Sequence, residues 1–378
     1  MMNYRIFRPE DCSSFEVAIR EVLPGLKGFL HSEAQVGRMP LMVKFFLSDA
    51  QNQSKGLQES LRDGFGDALP VSIVEQPPLD GSRVSALAIS SSRPEEMLFH
   101  SFRLTEEEAA GLDSYAQTRL LFDKYLELLR SLGLELKTHC VRTWIYVRDI
   151  DSNYAGMVRA RNDVFAAQGL VDHYIASTGI GGATDVRSAV VAIDTLTAPL
   201  IVESDKTYLK ALSHLSPTWD YGVAFERGVL LSGGQVYISG TASIDRFGNI
   251  VHEGDVVAQA GRLLENIDAL ISEAGCRAVR TAENLPFGEC CPHGIGNPAV
   301  HTAENLPSGE CCPHGIGNPA VPYFIIYLRD ISDYARIDSL MQERFPQIPR
   351  IILEARVCRP GWLVEMECEL PPAQINEQ

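Results

Sequence analysis

The sequence contains no apolar run long enough to span a membrane, and basic residues are in the minority. There are 33 Lys and Arg against 49 Asp and Glu, which gives a formal net charge of −16. An acidic chain of this kind repels nucleic acid and anionic membrane surfaces, so we expect neither as a partner. The first residues, MMNYRIFRPEDCSS, do not resemble a signal peptide, and we expect a cytoplasmic location.

The nine cysteines are an odd number, so a complete disulfide framework is not expected. Four of them fall in residues 281–321, where a unit of about 20 residues (TAENLP, Phe or Ser, GECCPHGIGNPAV) occurs twice in succession. The possible zinc ligands of this segment are Cys290, Cys291, His293, Cys311, Cys312 and His314. Adjacent cysteines followed by Pro-His are not a usual ligand spacing. We therefore interpret the segment, at about 280–321, as an inserted loop and predict no metal site.

The remaining chain contains an internal duplication. Residues 146–150 (YVRDI) end a predicted strand and precede a predicted helix, and residues 327–331 (YLRDI) do the same in the second half. Each half reads as a β-β-α-β-α-β unit, which predicts an α+β fold in which helices cover one face of a mixed sheet. The predicted domains are residues 1–200, including an amino-terminal extension of about 80 residues without recognisable motifs, and residues 201–378.

The carboxyl-terminal segment 349–369 predicts two strands joined by the turn residues Arg359-Pro360-Gly361. The period of two in the second strand places three carboxylates on one face: Glu365, Glu367 and Glu369. If both strands belong to one sheet, four side chains could surround a pocket that holds an anion and moves a proton: Arg350, Cys358, Arg359 and Glu365. The alternative is a solvated sheet face with an incidental salt bridge.

Residues 235–275 and 323–346 resemble the RidA/YjgF superfamily, and a fainter copy covers about 80–200. Two such units in one chain, with RTWIY at 142–146, ISGTAS at 238–243 and VCR…LVE at 357–365, are most similar to the chorismatases. The resemblance implies two tandem RidA/YjgF-like (chorismate-mutase-like) domains. It further implies pyruvate release from chorismate or a related enol-pyruvyl carboxylate, a hydroxybenzoate-type product, no cofactor, and a homo-oligomer (a trimer) with pockets at subunit boundaries.

The resemblance also assigns site residues. Glu365 matches the proton donor, Arg350 matches an arginine that grips a substrate carboxylate, and Cys358 stands at a position that separates product types. The other substrate-binding residues that it implies are Arg142, Tyr221, Phe225, Gly240 and Arg359. The first copy reads AVVAID where the second carries the acid, so its own pocket is expected to be degenerate. The sequence departs from chorismatases at Ile145, where they usually carry asparagine. Arg159 and Arg161 correspond to arginines near the substrate, but they also fit the polar side of a helix.

Two other hypotheses stay open at this point. In a RidA-type enamine or imine deaminase, which acts on substrates such as 2-aminoacrylate, Arg350 would hold a carboxylate and Glu365 would activate water. A non-catalytic ligand-binding protein could also retain the fold.

Overall fold

The computed structural model of the chain describes residues 2–283 and 321–372, without the side chains of residues 221 and 276–283. The described strands form three mixed sheets, each covered on one face by helices, which confirms the predicted α+β class. None of the described helices is long and apolar enough to cross a membrane.

The first sheet belongs to residues that the sequence predicted as an extension without motifs. Its strands are β1 (Met2–Phe7), β2 (Met39–Leu47), β3 (Val71–Glu75) and β4 (Val84–Ser91), in the order β1-β4-β2-β3. Two helices cover it, α1 (Phe15–Gln35) and α2 (Ala50–Phe65). Ser14 and Asp49 begin these helices by accepting hydrogen bonds from exposed backbone N–H groups. Strand β4 falls within residues 80–200, the fainter copy of the resemblance, but it pairs in this sheet and not with the strands that follow, because it lies between β1 and β2.

The second sheet follows in residues 98–197. Its strands are β5 (Leu98–Phe102), β6 (Cys140–Val147), β7 (Ala176–Gly181) and β8 (Val191–Thr197), in the order β5-β8-β6-β7. Its helices are α3 (Glu106–Ala109), α4 (Ser114–Ser131), α5 (Leu136–His139) and α6 (Ile150–Ala167). The predicted domain boundary at residue 200 falls between β8 and the next strand.

The third sheet has six strands. They are β9 (Lys206–Leu209), β10 (Gly228–Leu231), β11 (Val236–Ala242), β12 (Phe324–Leu328), β13 (Arg350–Glu354) and β14 (Val364–Leu370), in the order β13-β12-β14-β11-β10-β9. Helices α7 (Val256–Glu283) and α8 (Tyr334–Arg344) cover one face. The apolar residues of α7 recur with the 3.6-residue period of a helix, and this stripe is buried at Leu263, Ile267, Leu270 and Ile271.

The alternation predicted for β14 is confirmed, but its carboxylate face is not solvated. Glu365, Glu367 and Glu369 are each at most 5% exposed. They point away from the helices because Val364, Met366 and Cys368 occupy the helix-covered face. The carboxylate face of β14 packs against the second sheet, which explains why a row of acids is buried.

Polar groups from all three sheets meet between their inner faces. Glu367 accepts hydrogen bonds from Arg142 Nη2 at 2.7 Å and from Trp144 Nε1 at 2.8 Å, both on β6. Lys44 on β2 donates to the Tyr146 hydroxyl at 3.1 Å, and its Nζ lies 3.5 Å from Asp194 on β8. Charges buried to this extent are tolerated only when they are paired and hydrogen-bonded. These pairs therefore fix how the three sheets face one another.

The Arg142–Glu367 pair gives a stability prediction. Arg142→Gln leaves Glu367 buried without a compensating charge and should lower the free energy of unfolding by about 3–5 kcal/mol. The double variant R142Q/E367Q removes both charges and should recover part of that loss. Urea unfolding followed by circular dichroism measures both values. Equal destabilisation in the single and the double variant would contradict a role for charge pairing.

Candidate active site

A cleft opens between the second and third sheets, with about 540 Å³ of empty space including its open mouth. From the second unit it is lined by Tyr154, Arg161, Ser177 and Gly179. From the third unit it is lined by Phe225, Arg227, Gly240, Cys358, Arg359 and Glu365, with Trp362 among its apolar residues.

Glu365 forms part of the wall of this cleft. It is the second residue of β14 and pairs with Tyr327 on β12 and Ala242 on β11. The space for its carboxyl group depends on Gly240, because a Cβ added there would lie only 2.9 Å from Cδ of Glu365. The Gly240 N–H donates to Thr178 Oγ1 on β7 at 2.9 Å, which ties the two sheets together beside the acid.

Burial is the main reason that the Glu365 carboxyl holds its proton. Burial, followed by the neighbouring negative charge of Glu367, raises the pKa of Glu365 from about 4.5 to about 8, against Arg142 and Arg227, which lower it. A carboxyl group with this pKa is mostly protonated at neutral pH. Glu365 can therefore act as a general acid, since it has a proton to give and faces an open cleft.

Three arginines surround the cleft. Arg161 on α6 is buried, and Arg227 is buried where its Nη2 donates to the Ser216 carbonyl at 3.1 Å. The guanidinium of Arg359 lies 4.7 Å from the centre of the Trp362 ring. With Glu365 protonated, the arginines give the cleft a positive charge although the chain is acidic as a whole. Guanidinium groups bind carboxylates through paired hydrogen bonds, so the cleft suits a small anion.

Cys358 contributes a neutral thiol. Burial raises its pKa to about 12, the charge of Glu365 acts in the same direction, and the Tyr154 hydroxyl lies beside the sulfur. Because the thiolate is the nucleophilic form, a cysteine with this pKa is not an activated nucleophile. Its role in the cleft is one of shape and hydrogen bonding.

The structure brings together five of the residues that the sequence singled out. They are Glu365, Gly240, Phe225, Cys358 and Arg359. Tyr221 ends the short 3₁₀ helix Thr218–Tyr221, but its side chain lies outside the described part of the structure. Arg142 does not line the cleft; it lies deeper, on β6, where it pairs with Glu367.

The placement of Arg350 beside Glu365 is wrong. Arg350 pairs with Phe324 on β12, and Phe324 pairs in turn with Cys368 on β14. Arg350 therefore lies on the helix-covered face, opposite Glu365, and its Nη2 contacts Asp338 Oδ1 of α8 at 2.8 Å. Its guanidinium is used to hold α8 against the sheet.

The predicted site left out two arginines of the cleft, Arg161 and Arg227. The sequence analysis left Arg161 open between a place near the substrate and the polar side of a helix, yet Met157, Val164 and Phe165 on the same stripe of α6 are buried. A charged residue among the apolar residues of one helix stripe was the sequence signal that could have identified Arg161. The candidate zinc ligands of the repeated segment lie outside the described residues, and no group of His, Cys, Asp or Glu among residues 2–283 and 321–372 could hold a metal ion.

Comparisons with known proteins agree with this geometry. A protein from Streptomyces hygroscopicus named 3-hydroxybenzoate synthase is 27% identical over 270 residues, which cover 66% of this chain and 68% of that protein. A crystal structure of a chorismatase superposes with a TM-score of 0.63 at 19% identity and covers 98% of both chains. The chain has a chorismatase-like fold.

Shorter proteins also align with part of the chain. RidA from the Antarctic bacterium Psychrobacter sp. covers 44% of this chain at 18% identity, with a TM-score of 0.28 that is too low to support a conclusion. No family model matches the sequence.

The raised pKa of Glu365 predicts a pH-dependent stability. Between pH 4.5 and about 8 the folded protein holds a proton on Glu365 that the unfolded chain has lost, so its stability falls as pH rises through this window. Glu365→Gln lacks this proton. Relative to the variant, the wild type should therefore lose about 3–4 kcal/mol of unfolding free energy across the window. Urea unfolding at several pH values measures it, and a constant difference would refute the assignment.

Proposed function

We propose that this protein is a chorismatase-like enzyme that releases pyruvate from chorismate, or from a related enol-pyruvyl carboxylate, and leaves a hydroxybenzoate-type product. The observation that carries the proposal is a buried, protonated Glu365 on the wall of a cleft with three arginines. The names of the relatives, 3-hydroxybenzoate synthase and chorismatase, support the same chemistry.

The proposed reaction begins with a proton transfer. Glu365 donates its proton to the methylene carbon of the enol ether, and the ether carbon becomes an oxocarbenium-like centre. Water attacks that carbon and gives one proton to the Glu365 carboxylate, which restores its acid form. The hydroxyl group of the resulting hemiketal passes its proton to the ether oxygen as the bond between that oxygen and the pyruvyl carbon breaks, so pyruvate leaves with the oxygen of the water. Loss of water from the remaining dihydroxycyclohexadiene ring, as one ring hydroxyl and one ring hydrogen, gives the hydroxybenzoate-type product. The apolar ring of Trp362, which lines the cleft, keeps water away from the acid and favours its neutral form.

Substrate binding is assigned to the arginines of the cleft. Chorismate carries two carboxylates, and Arg161, Arg227 and Arg359 offer more than one guanidinium for them. Each charge-assisted hydrogen bond of this kind contributes about 1.5–3 kcal/mol. Phe225 lies beside Arg227, with 5.3 Å from the guanidinium carbon to the ring centre, and provides an apolar surface for the substrate ring.

The deaminase hypothesis has less support in this geometry. It requires Arg350 beside Glu365 and an ionised Glu365 that activates water. Arg350 lies on the other face of the sheet, and Glu365 is mostly protonated at neutral pH. The trimer expected from the resemblance stays a prediction from the sequence. The cytoplasmic location stays a prediction from the sequence.

Replacing the proposed acid tests the function directly. Glu365→Gln removes the proton donor and should lower the rate of pyruvate release from chorismate by about 10²–10⁴-fold. Coupling pyruvate to lactate dehydrogenase measures the rate. Glu354→Gln makes the same change at an exposed glutamate of the same sheet and serves as the matched control. Release that persists in E365Q, or that never occurs in the wild type, would eliminate the proposal.

The protonation state of Glu365 also predicts the pH profile. Because the acid form is the active one, kcat/KM should stay level up to about pH 8 and then fall tenfold for each further pH unit. A deaminase that used Glu365 as a base would show the opposite trend, with a rate that rises through the same range. Steady-state assays from pH 6 to 10 distinguish the two.

A further inference from the structure

Glu367 takes no part in the proposed reaction, yet both oxygens of its buried carboxylate accept hydrogen bonds. Its Oε2 accepts from Arg142 Nη2 at 2.7 Å and from the Thr178 hydroxyl. Its Oε1 accepts from Trp144 Nε1 at 2.8 Å and from the Tyr327 hydroxyl at 3.2 Å. A carboxylate has about four acceptor positions, and all of them are used here. Four donors, one of them a guanidinium, therefore hold its two oxygens in place.

This fixed carboxylate lies close to the proposed acid. Glu365 and Glu367 are two residues apart on one face of β14, about 6–7 Å along the strand. Thr178 connects them further, because its hydroxyl bonds to Glu367 and also accepts from the Gly240 N–H at the position that leaves room for Glu365. The charge of Glu367 therefore lies near Glu365, and two hydrogen bonds through Thr178 connect Glu367 to the Gly240 backbone beside the acid.

Other charged or titratable groups also act on Glu365. From the second unit these are Arg142, Tyr154 and Arg161. From the third unit they are Arg227, Tyr327, Cys358 and Arg359, besides Glu367 itself. Tyr154, Tyr327 and Cys358 are neutral at physiological pH because burial raises their pKa values. The arginines favour the ionised form of Glu365, and Glu367 is the negative charge that opposes them.

We propose that Glu367 is a positioning residue that acts through Glu365: its fixed negative charge keeps the proton on the acid although arginines surround the cleft. The arginines are needed to bind an anionic substrate, but they would also draw the proton off the acid that must donate it. A second carboxylate, buried and held by four donors out of reach of the substrate, offsets that effect. The proposal rests on the proposed function of Glu365.

The experiment measures the pH profile of kcat/KM for pyruvate release from chorismate. Glu367→Gln keeps the size of the side chain and one accepting oxygen but removes its charge. The pH at which the rate begins to fall should decrease by about one unit or more. A merely structural role would lower the rate at every pH and leave the midpoint of the fall unchanged, so the midpoint is the deciding quantity.

Two further variants make the test specific. Glu369→Gln is the same substitution at the next acid on the same face of β14, two positions farther from Glu365, and should leave the midpoint unchanged. R142Q/E367Q removes two opposite charges and leaves none uncompensated, so it folds even where E367Q does not. Its midpoint should lie between those of the wild type and E367Q. Midpoints at the wild-type value in both Glu367 variants, or an equal shift in E369Q, would overturn the proposal.

A readout without catalysis separates this proposal from the proposed function. If the wild type releases no pyruvate, the function fails, but the proton on Glu365 can still be followed through unfolding. The pH window in which Glu365→Gln differs in stability from its parent should end at a lower pH in the E367Q or the R142Q/E367Q background than in the wild type. An unchanged window would overturn the role of Glu367 whatever the outcome of the assay.

Discussion

The buried ion pair between Arg142 and Glu367 is the constraint on which the rest of the structure depends. It joins β6 of the second sheet to β14 of the third, and the Lys44–Asp194 pair joins the first sheet to the second. Apolar packing alone would let the inner faces of three sheets slide past one another, because hydrophobic contacts are not directional. A one-residue slip of β14 would turn Glu367 toward the helices and leave Arg142 unpaired. Pairing of buried charges therefore fixes both the register of the strands and the orientation of the sheets.

The cleft is a consequence of the same arrangement. Because Glu367 must face the second sheet, the alternation of β14 makes Glu365 face it too, at the end of the strand where the sheets diverge and the cleft opens. Gly240 on the neighbouring strand leaves the space that the acid occupies. Burial then raises the pKa of the acid, and the charge of Glu367 acts in the same direction. Glu367, which is held by hydrogen-bond donors, and Glu365, which faces the cleft, therefore lie on the same face of β14.

The sequence predicted features that lie within one element and missed those that depend on how elements pair. The alternation of β14, the stripe of α7 and the acid Glu365 follow from periodicity and from the resemblance. The face on which Arg350 lies was predicted wrongly because a sequence shows which residues of one strand share a face, but not how the faces of two strands correspond. Its face is fixed by pairing with Phe324 on the strand between β13 and β14, which no local pattern records. The first sheet was missed for a related reason: its chain repeats the arrangement of strands and helices without the YVRDI or YLRDI motif that revealed the other two.

The duplication allows the second and third sheets to be compared position by position, and only the third carries an acid at the position of Glu365. In the second sheet Asp194 pairs with Trp144 of β6, and in the third Glu367 pairs with Ile325 of β12, so both sheets hold a buried carboxylate at the same level. Two residues earlier, Ala192 stands opposite Tyr146 where Glu365 stands opposite Tyr327. The carboxylate between the sheets is common to both copies because it orients them. An acid at the position of Glu365 does not orient the sheets, and its burial lowers the stability of the fold at pH values above its ordinary pKa. Its presence in one copy alone supports the chemical use that we propose for it.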